Sequence, residues 1–185
     1  MKAGVLALQG DYREHAAVLA DCGATPVLVR TPQDLETVAC LAIPGGESTT
    51  IARLATLHGL VEPIRERVEA GMPVLGTCAG MIVMAREVAD GEALLGLMDL
   101  RVIRNAYGRQ TDSFEADVDV AGIGRIRAVF IRAPVVDSVG QGVEVLAEYD
   151  GRPVVCEQSQ MLASAFHPEL VRDVRLHRRL LEKVR

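Results

Sequence analysis

VLGTCAGMIVMA, Val74 to Ala85, is an apolar strand that enters Gly76-Thr77-Cys78-Ala79-Gly80 and continues into apolar residues at helical spacing. A strand that turns sharply into a helix with a reactive side chain at the turn is a nucleophile elbow, here with sulfur in the reactive seat. The glycines two before and two after Cys78 let the backbone turn tightly and let strand and helix pack closely. The first amides of that helix point back at the sulfur and favour the thiolate, the nucleophilic form. Cys22, Cys40 and Cys156 sit in apolar runs without such a turn and read as small core residues.

Upstream of the elbow, strand-like and helix-like segments alternate. Ala3 to Leu8 is a strand, and Asp11-Tyr12-Arg13-Glu14 supplies an N-cap with a carboxylate three residues on, opening a helix that stops at Gly23. Thr25 to Val29 is the second strand, and Thr31-Pro32 starts a short helix. Val38 to Ile43 is a third strand, ending at Pro44-Gly45-Gly46; Ile51, Leu54, Leu57 and Leu60 follow at helical spacing. A helix over Pro63 to Ala70 closes at Gly71, and Pro73 to Gly76 feeds the elbow. This order predicts a parallel sheet covered by helices on both faces.

Beyond Gly91 the segments become strand-like: Leu100 to Arg104, Ser113 to Val120, Gly124 to Ile131, Glu144 to Tyr149, Pro153 to Gln158 and Met161 to Phe166. Asp150-Gly151 is a hairpin signal. Glu169 to Val184 reads as a terminal helix with Leu176, Leu180 and Leu181 turned inward and its arginines in solvent. The expected architecture is an α/β three-layer sandwich in a single domain over residues 1–185, its one sheet parallel early and antiparallel late.

The chain has 185 residues, enough for a core without staples, and a net charge of −5 argues against nucleic acid as the main partner. No apolar run approaches the roughly 18 residues of a membrane span, and the N-terminus has no cleavage signal. Four cysteines without metal spacing read as reduced thiols, so no metal is expected and the cytoplasm is the expected compartment.

In a parallel sheet, ligands collect beyond the carboxyl ends of the strands, where three segments stand out. The first is the elbow. The second is PGGESTT, Pro44 to Thr50, whose paired glycines can aim amides at an oxyanion but lack the spacing of a phosphate loop. The third is FHPEL, Phe166 to Leu170. Pro168 forces His167 into an extended backbone, and a Glu169 that stays extended shares its side and can orient the imidazole. Together they suggest a Cys78, His167, Glu169 triad. His15, His58 and His177 lack such company and read as solvated or capping residues. The residues alone leave a cysteine peptidase, a redox-sensing protein or a silent binding module open.

The chain resembles the class I glutamine amidotransferases, which carry a cysteine in a G-x-C-x-G elbow and a late His-x-Glu. LQG (Leu8 to Gly10), REH (Arg13 to His15), PGGESTT, GTCAG, RNAYGRQTDSFEA (Arg104 to Ala116), VFIRAP (Val129 to Pro134) and SAFHPEL carry the resemblance along essentially the whole chain. They look most like the branch that feeds pyridoxal 5′-phosphate synthesis.

The resemblance implies a flavodoxin-like sheet and hydrolysis of L-glutamine to glutamate and ammonia, with Cys78 as nucleophile, His167 as acid and base, and Glu169 orienting His167. It also implies an oxyanion hole from the amides of Gly46 and Ala79, and a glutamine pocket of Gly46, Glu47, Ser48, Arg104, Ile131 and Arg132. Glu47 would face the α-ammonium and an arginine the α-carboxylate. The implied partner is a pyridoxal 5′-phosphate synthase subunit that receives the ammonia through a protected channel. Pyridoxal 5′-phosphate would then be the product of the complex, and no cofactor is expected in this chain. A glutaminase serving another synthase is the nearest alternative.

Overall fold

A computed structural model describes residues 1–89, 91–104 and 113–184. The elements are β1 (Lys2–Leu6), α1 (Tyr12–Asp21), β2 (Thr25–Val29), α2 (Pro32–Glu36), β3 (Leu41–Ile43), α3 (Ser48–Leu57), α4 (Val61–Glu69), β4 (Val74–Thr77) and α5 (Ala79–Met84). There follow β5 (Ala85–Val88), β6 (Met98–Ile103), β7 (Phe114–Val120), β8 (Gly124–Phe130), β9 (Val135–Val139), β10 (Glu144–Tyr149), β11 (Arg152–Gln158), β12 (Met161–Ser164) and α6 (Arg175–Glu182).

The short apolar runs form strands because each is buried along its length, as β3 and β4 are at every residue. The main sheet has the order β10-β11-β12-β4-β3-β1-β2. Its pairings from β2 across to β12 are parallel, and β11 and β10 extend it antiparallel. This is the expected mostly parallel α/β sheet with an antiparallel extension. Asp150 and Gly151 both take positive φ, at 51° and 68°, and join β10 to β11 with the tight turn that the sequence signals. Among the described residues no helix is long and apolar enough to cross a membrane.

The expectation of one sheet is not met. Among the described residues, β5-β6-β9 form a second sheet and β7-β8 a two-stranded ribbon. Two of these strands escaped the sequence reading for local reasons. Ala85 ends the helical spacing of the elbow helix, but its backbone is already extended (φ −61°, ψ 145°), so Ala85–Val88 leaves as a strand. Val135–Val139 follows Pro134, a residue that argues against a strand except at its start or edge.

The terminal helix also starts later than expected. Pro168–Val171 is a 3₁₀ turn, and Arg172 at φ 52° is left-handed, which stops any helix running on from Glu169. The later helix does bury Leu176 and Leu180 as the spacing predicts. Of its arginines, Arg179 is not simply solvated: it pairs with Glu157 at 3.1 Å.

Candidate active site

Register across the sheet builds the site. Ser164 of β12 lies beside Thr77 of β4, and Ile43 of β3 lies beside Gly76 on the other flank. The elbow, the Gly45-Gly46 loop and the His167 segment therefore leave the same edge of three adjacent parallel strands. The Cys78 amide donates to the Ser164 carbonyl at 2.7 Å, and the His167 amide donates to the Val129 carbonyl at 2.9 Å, which fixes both segments by backbone bonds.

Cys78 takes φ 49° and ψ −105°, a conformation that side chains avoid, between β4 and the first turn of α5. Close packing on either side holds it there. A Cβ on Gly80 would collide with the Ile43 carbonyl, and one on Gly76 would lie 2.7 Å from the Gly80 carbonyl carbon. These are the close strand–helix contacts that the two elbow glycines imply. Cys78 is only 6% exposed, yet it lines a pocket of about 300 Å³. Its Sγ lies 3.7 Å from the Ile131 carbonyl. Burial pushes the thiols of Cys40 and Cys156 up to about 12, so at neutral pH they are inert core residues.

The His167 Nδ1 lies 2.7 Å from Glu169 Oε1, leaving the other ring nitrogen for Cys78. Glu169 does not lie on an extended backbone as expected. It sits in the 3₁₀ turn, which still returns its carboxylate beneath the imidazole. Burial works against a charged His167, but Asp11, Cys78 and Glu169 outweigh it and push the imidazole up to about 12. Burial opposes the charge on Glu169 too; His15 and His167 overcome this and hold the carboxyl well below its usual range. The pair therefore carries its proton on His167 across neutral pH, placed for donation to a leaving group.

Gly46, Glu47, Ser48, Cys78, Ala79, Arg104, Ile131, Arg132 and His167 all line the one pocket. Glu169 stands behind it, buried. Glu47 has a structural task as well: it caps α3, accepting from the amides of Thr49 at 3.0 Å and Thr50 at 2.6 Å. The Thr50 hydroxyl and these amides hold its carboxyl down at about 2, so its charge at the pocket is fixed. Its oxygens keep lone pairs for a further donor, and Arg104 Nη2 lies 3.7 Å away. From the segment that Arg104 opens, Asn105 to Asp112, including Tyr107, Gly108 and Arg109, lies outside the described residues.

The pocket is also lined by Gln9, Gly10, Asp11 and Ile82, which the sequence does not single out as site residues. Asp11 was read as an N-cap with Glu14 completing a box, but its side chain makes no capping bond. It turns instead towards His167, with Oδ2 3.4 Å from Nδ1, because that buried imidazole attracts a carboxylate more strongly than an exposed helix end. Gln9 accepts from the Glu47 amide at 2.7 Å, and the Asp11 amide donates to the Gly45 carbonyl at 3.1 Å, so the Gln9-Gly10-Asp11 segment clasps the glycine loop. Asp11, His167 and Glu169 also bring possible metal-ligand atoms within 4.8 Å of one another, but the His167 and Glu169 atoms are engaged with each other.

The reading of His15 and His177 as solvated or capping is overturned: both are fully buried, with His15 Nδ1 2.8 Å from His177 Nε2. His15 shares a helix face with the buried Val18 and Leu19, and His177 with the buried Leu180, a spacing that signals the inward face of each helix. His58 is exposed at the end of α3, as expected. Burial and His15 depress His177 to about 3, against the opposing pull of Glu169 and Asp173. An imidazole that stays neutral when folded but takes a proton when unfolded gives stability that is complete above about pH 6.5 and lost as the pH falls towards 3. Between pH 6.5 and 4.5 the urea midpoint should therefore fall with a slope worth up to about 1.4 kcal/mol per pH unit from this group. His177→Phe should show a shallower slope, and an unchanged slope would assign the acid sensitivity to other groups.

A family model described as the SNO glutamine amidotransferase family matches residues 5–185. The chain is 56% identical to the pyridoxal 5′-phosphate synthase subunit PdxT of Pelotomaculum thermopropionicum, over 99% of this chain and 95% of that protein. It is 54% identical to the subunit of the same name from Frankia alni, over 98% and 94% of the two chains. A crystal structure of a glutamine amidotransferase superposes with a TM-score of 0.94 at 49% identity, covering 98% of each chain. The PurLQS structure from Thermotoga maritima superposes with a TM-score of 0.76 at 16% identity, covering 100% of this chain and 98% of that one, a likeness of fold.

Proposed function

Because this chain belongs to the SNO glutamine amidotransferase family, we infer that it hydrolyses L-glutamine to L-glutamate and ammonia and supplies the ammonia to a synthase partner that makes pyridoxal 5′-phosphate. In this reading residues 1–185 act as one glutaminase domain. The observation that carries the chemistry is the junction of β4 and β12, where the Cys78 amide bonds to the Ser164 carbonyl at 2.7 Å and the elbow meets the His167 segment.

The proposed mechanism assigns each residue a step. Cys78 Sγ attacks the side-chain amide carbon of glutamine, and the carbonyl oxygen becomes an oxyanion held by the amides of Gly46 and Ala79. His167 gives its proton to the amide nitrogen, the C–N bond breaks and ammonia leaves a γ-glutamyl thioester. Water then attacks the thioester with His167 as base, releasing glutamate and restoring the thiol. Glu169 keeps Nδ1 engaged so that the other nitrogen serves sulfur, amide and water in turn. What supports these roles is the common pocket and the Nδ1 to Oε1 distance of 2.7 Å.

Substrate recognition is assigned to Gly46, Glu47, Ser48, Arg104, Ile131 and Arg132. The fixed charge of Glu47 suits an α-ammonium, and the arginines suit an α-carboxylate. Glutamine analogues lacking either group should lose about 10- to 100-fold in kcat/KM, the usual penalty for removing a charge-assisted hydrogen bond. Equal turnover of such analogues would remove these residues from recognition.

The experiment that tests the function is glutamate release by the purified chain, alone and with a synthase subunit from the same source. A slow free subunit, activated by the synthase at saturating glutamine, is the expected result. The clasp of Gln9-Gly10-Asp11 on the glycine loop supports it, because a partner docking there would reach the oxyanion donor directly. A rate indifferent to a bound synthase would sink the gating and leave the hydrolysis standing. Four free cysteines suit the reducing cytoplasm, where we place the protein.

A further inference from the structure

Behind Glu169, on the side away from the pocket, the buried polar groups continue. Glu169 uses Oε1 for His167, but its Oε2 is buried with no hydrogen-bond partner, and the nearest donor group is His15 Nε2 at 3.5 Å. That nitrogen also lies 3.0 Å from Thr77 Oγ1, on the residue that precedes the nucleophile. The far side of the His15 ring meets His177 Nε2 at 2.8 Å, and His177 Nδ1 has no partner. Four segments distant in the chain, α1, β4, the 3₁₀ turn and α6, thus converge on one carboxylate.

We propose that His15 and His177 are positioning residues for the triad carboxylate: His177 braces the His15 ring through the contact of Nε2 with Nδ1, and His15 Nε2–H faces Glu169 Oε2, so that Oε1 stays on His167. The proposal rests on the reading of Cys78, His167 and Glu169 as a triad.

Hydrogen accounting fixes the end that faces Glu169. A buried ionised carboxylate oxygen left without a donor is strongly destabilising, so the nitrogen facing it carries the hydrogen. The 2.8 Å contact between His15 Nδ1 and His177 Nε2 takes one hydrogen, from either ring, and holds the His15 ring in place.

The arrangement matters because His167 has two carboxylates to choose from. Asp11 Oδ2 lies 3.4 Å from the same Nδ1 that Glu169 holds at 2.7 Å. Asp11 belongs to the pocket, Glu169 to the interior. A Glu169 held at both oxygens keeps the imidazole pointed at Cys78. Released at Oε2, it gives Asp11 an equal claim, and the ring turns towards the pocket mouth.

The test uses the chain bound to its synthase. His15→Leu should lower kcat for glutamate release by about 10- to 100-fold, the range typical of partners that orient another functional group, with the KM for glutamine little changed. His15→Gln, which keeps a donor near the Nε2 position, should recover most of the loss. In a Glu169→Gln background, His15→Leu should have almost no further effect, since the carboxylate it positions is gone. Equal losses in both backgrounds, or no recovery by His15→Gln in a folded protein, would overturn the proposal. Imidazole ¹⁵N spectra of the unmutated chain decide the same question without a variant: His15 should carry a hydrogen on Nε2, and a bare His15 Nε2 would overturn the proposal. Failure of the triad reading is seen separately, as normal turnover by Cys78→Ala.

Discussion

Cys78→Ala is expected to abolish glutamate release, leaving less than about 10⁻⁴ of the parental rate, because it removes the only sulfur that the fold places at an elbow. The fold should survive. Alanine fits wherever the small Cys78 side chain fits, and the backbone bond to Ser164 does not involve the side chain. Cys22→Ala, Cys40→Ala and Cys156→Ala should each keep full activity in whatever fraction remains folded. The strain at φ 49° and ψ −105° adds a second measurement. Glycine adopts such angles freely, so Cys78→Gly should be more stable than Cys78→Ala by about 1 kcal/mol, while equally inactive. Near-normal turnover by Cys78→Ala would end the nucleophile assignment, and equal stability of the two variants would show that the elbow stores no strain.

His167→Asn should fall nearly as far, because one imidazole serves as acid in the first half of the reaction and as base in the second. Glu169→Gln should be milder by about a hundredfold, since it disturbs the orientation of His167 without removing the proton carrier. The residues act as a unit, so the double variant should lose little more than His167→Asn alone. Multiplicative losses, measured as kcat with the synthase bound, would mean that the two side chains serve separate steps. The elevated His167 also sets a direction with pH. Its ionic contribution to stability is complete below about pH 6.5 and is lost as the pH rises towards about 12, whereas that of Glu169 is present above about pH 4.5 and lost in acid.

The features legible in the sequence are those whose physics is local. A strand, two spaced glycines and a helix make an elbow at Cys78 whatever surrounds them, and Asp150-Gly151 makes a tight turn for the same reason. The parallel sheet followed from the alternation of short buried runs with helical spacing. The pairing of His167 with Glu169 was legible as a spacing, although the backbone that delivers it is a 3₁₀ turn and not an extended strand. Tertiary structure alone decided what depends on neighbours distant in the chain. The insertion of β12 beside β4 brings His167 to Cys78 from far along the sequence. The helix-capping signal at Asp11 lost to a buried imidazole contributed by another segment. Most of all, helical spacing puts His15 with Val18 and Leu19 and His177 with Leu180 on inward faces, but neither helix shows what its histidine meets; the two become a buried polar chain behind Glu169 because α1 and α6 pack there.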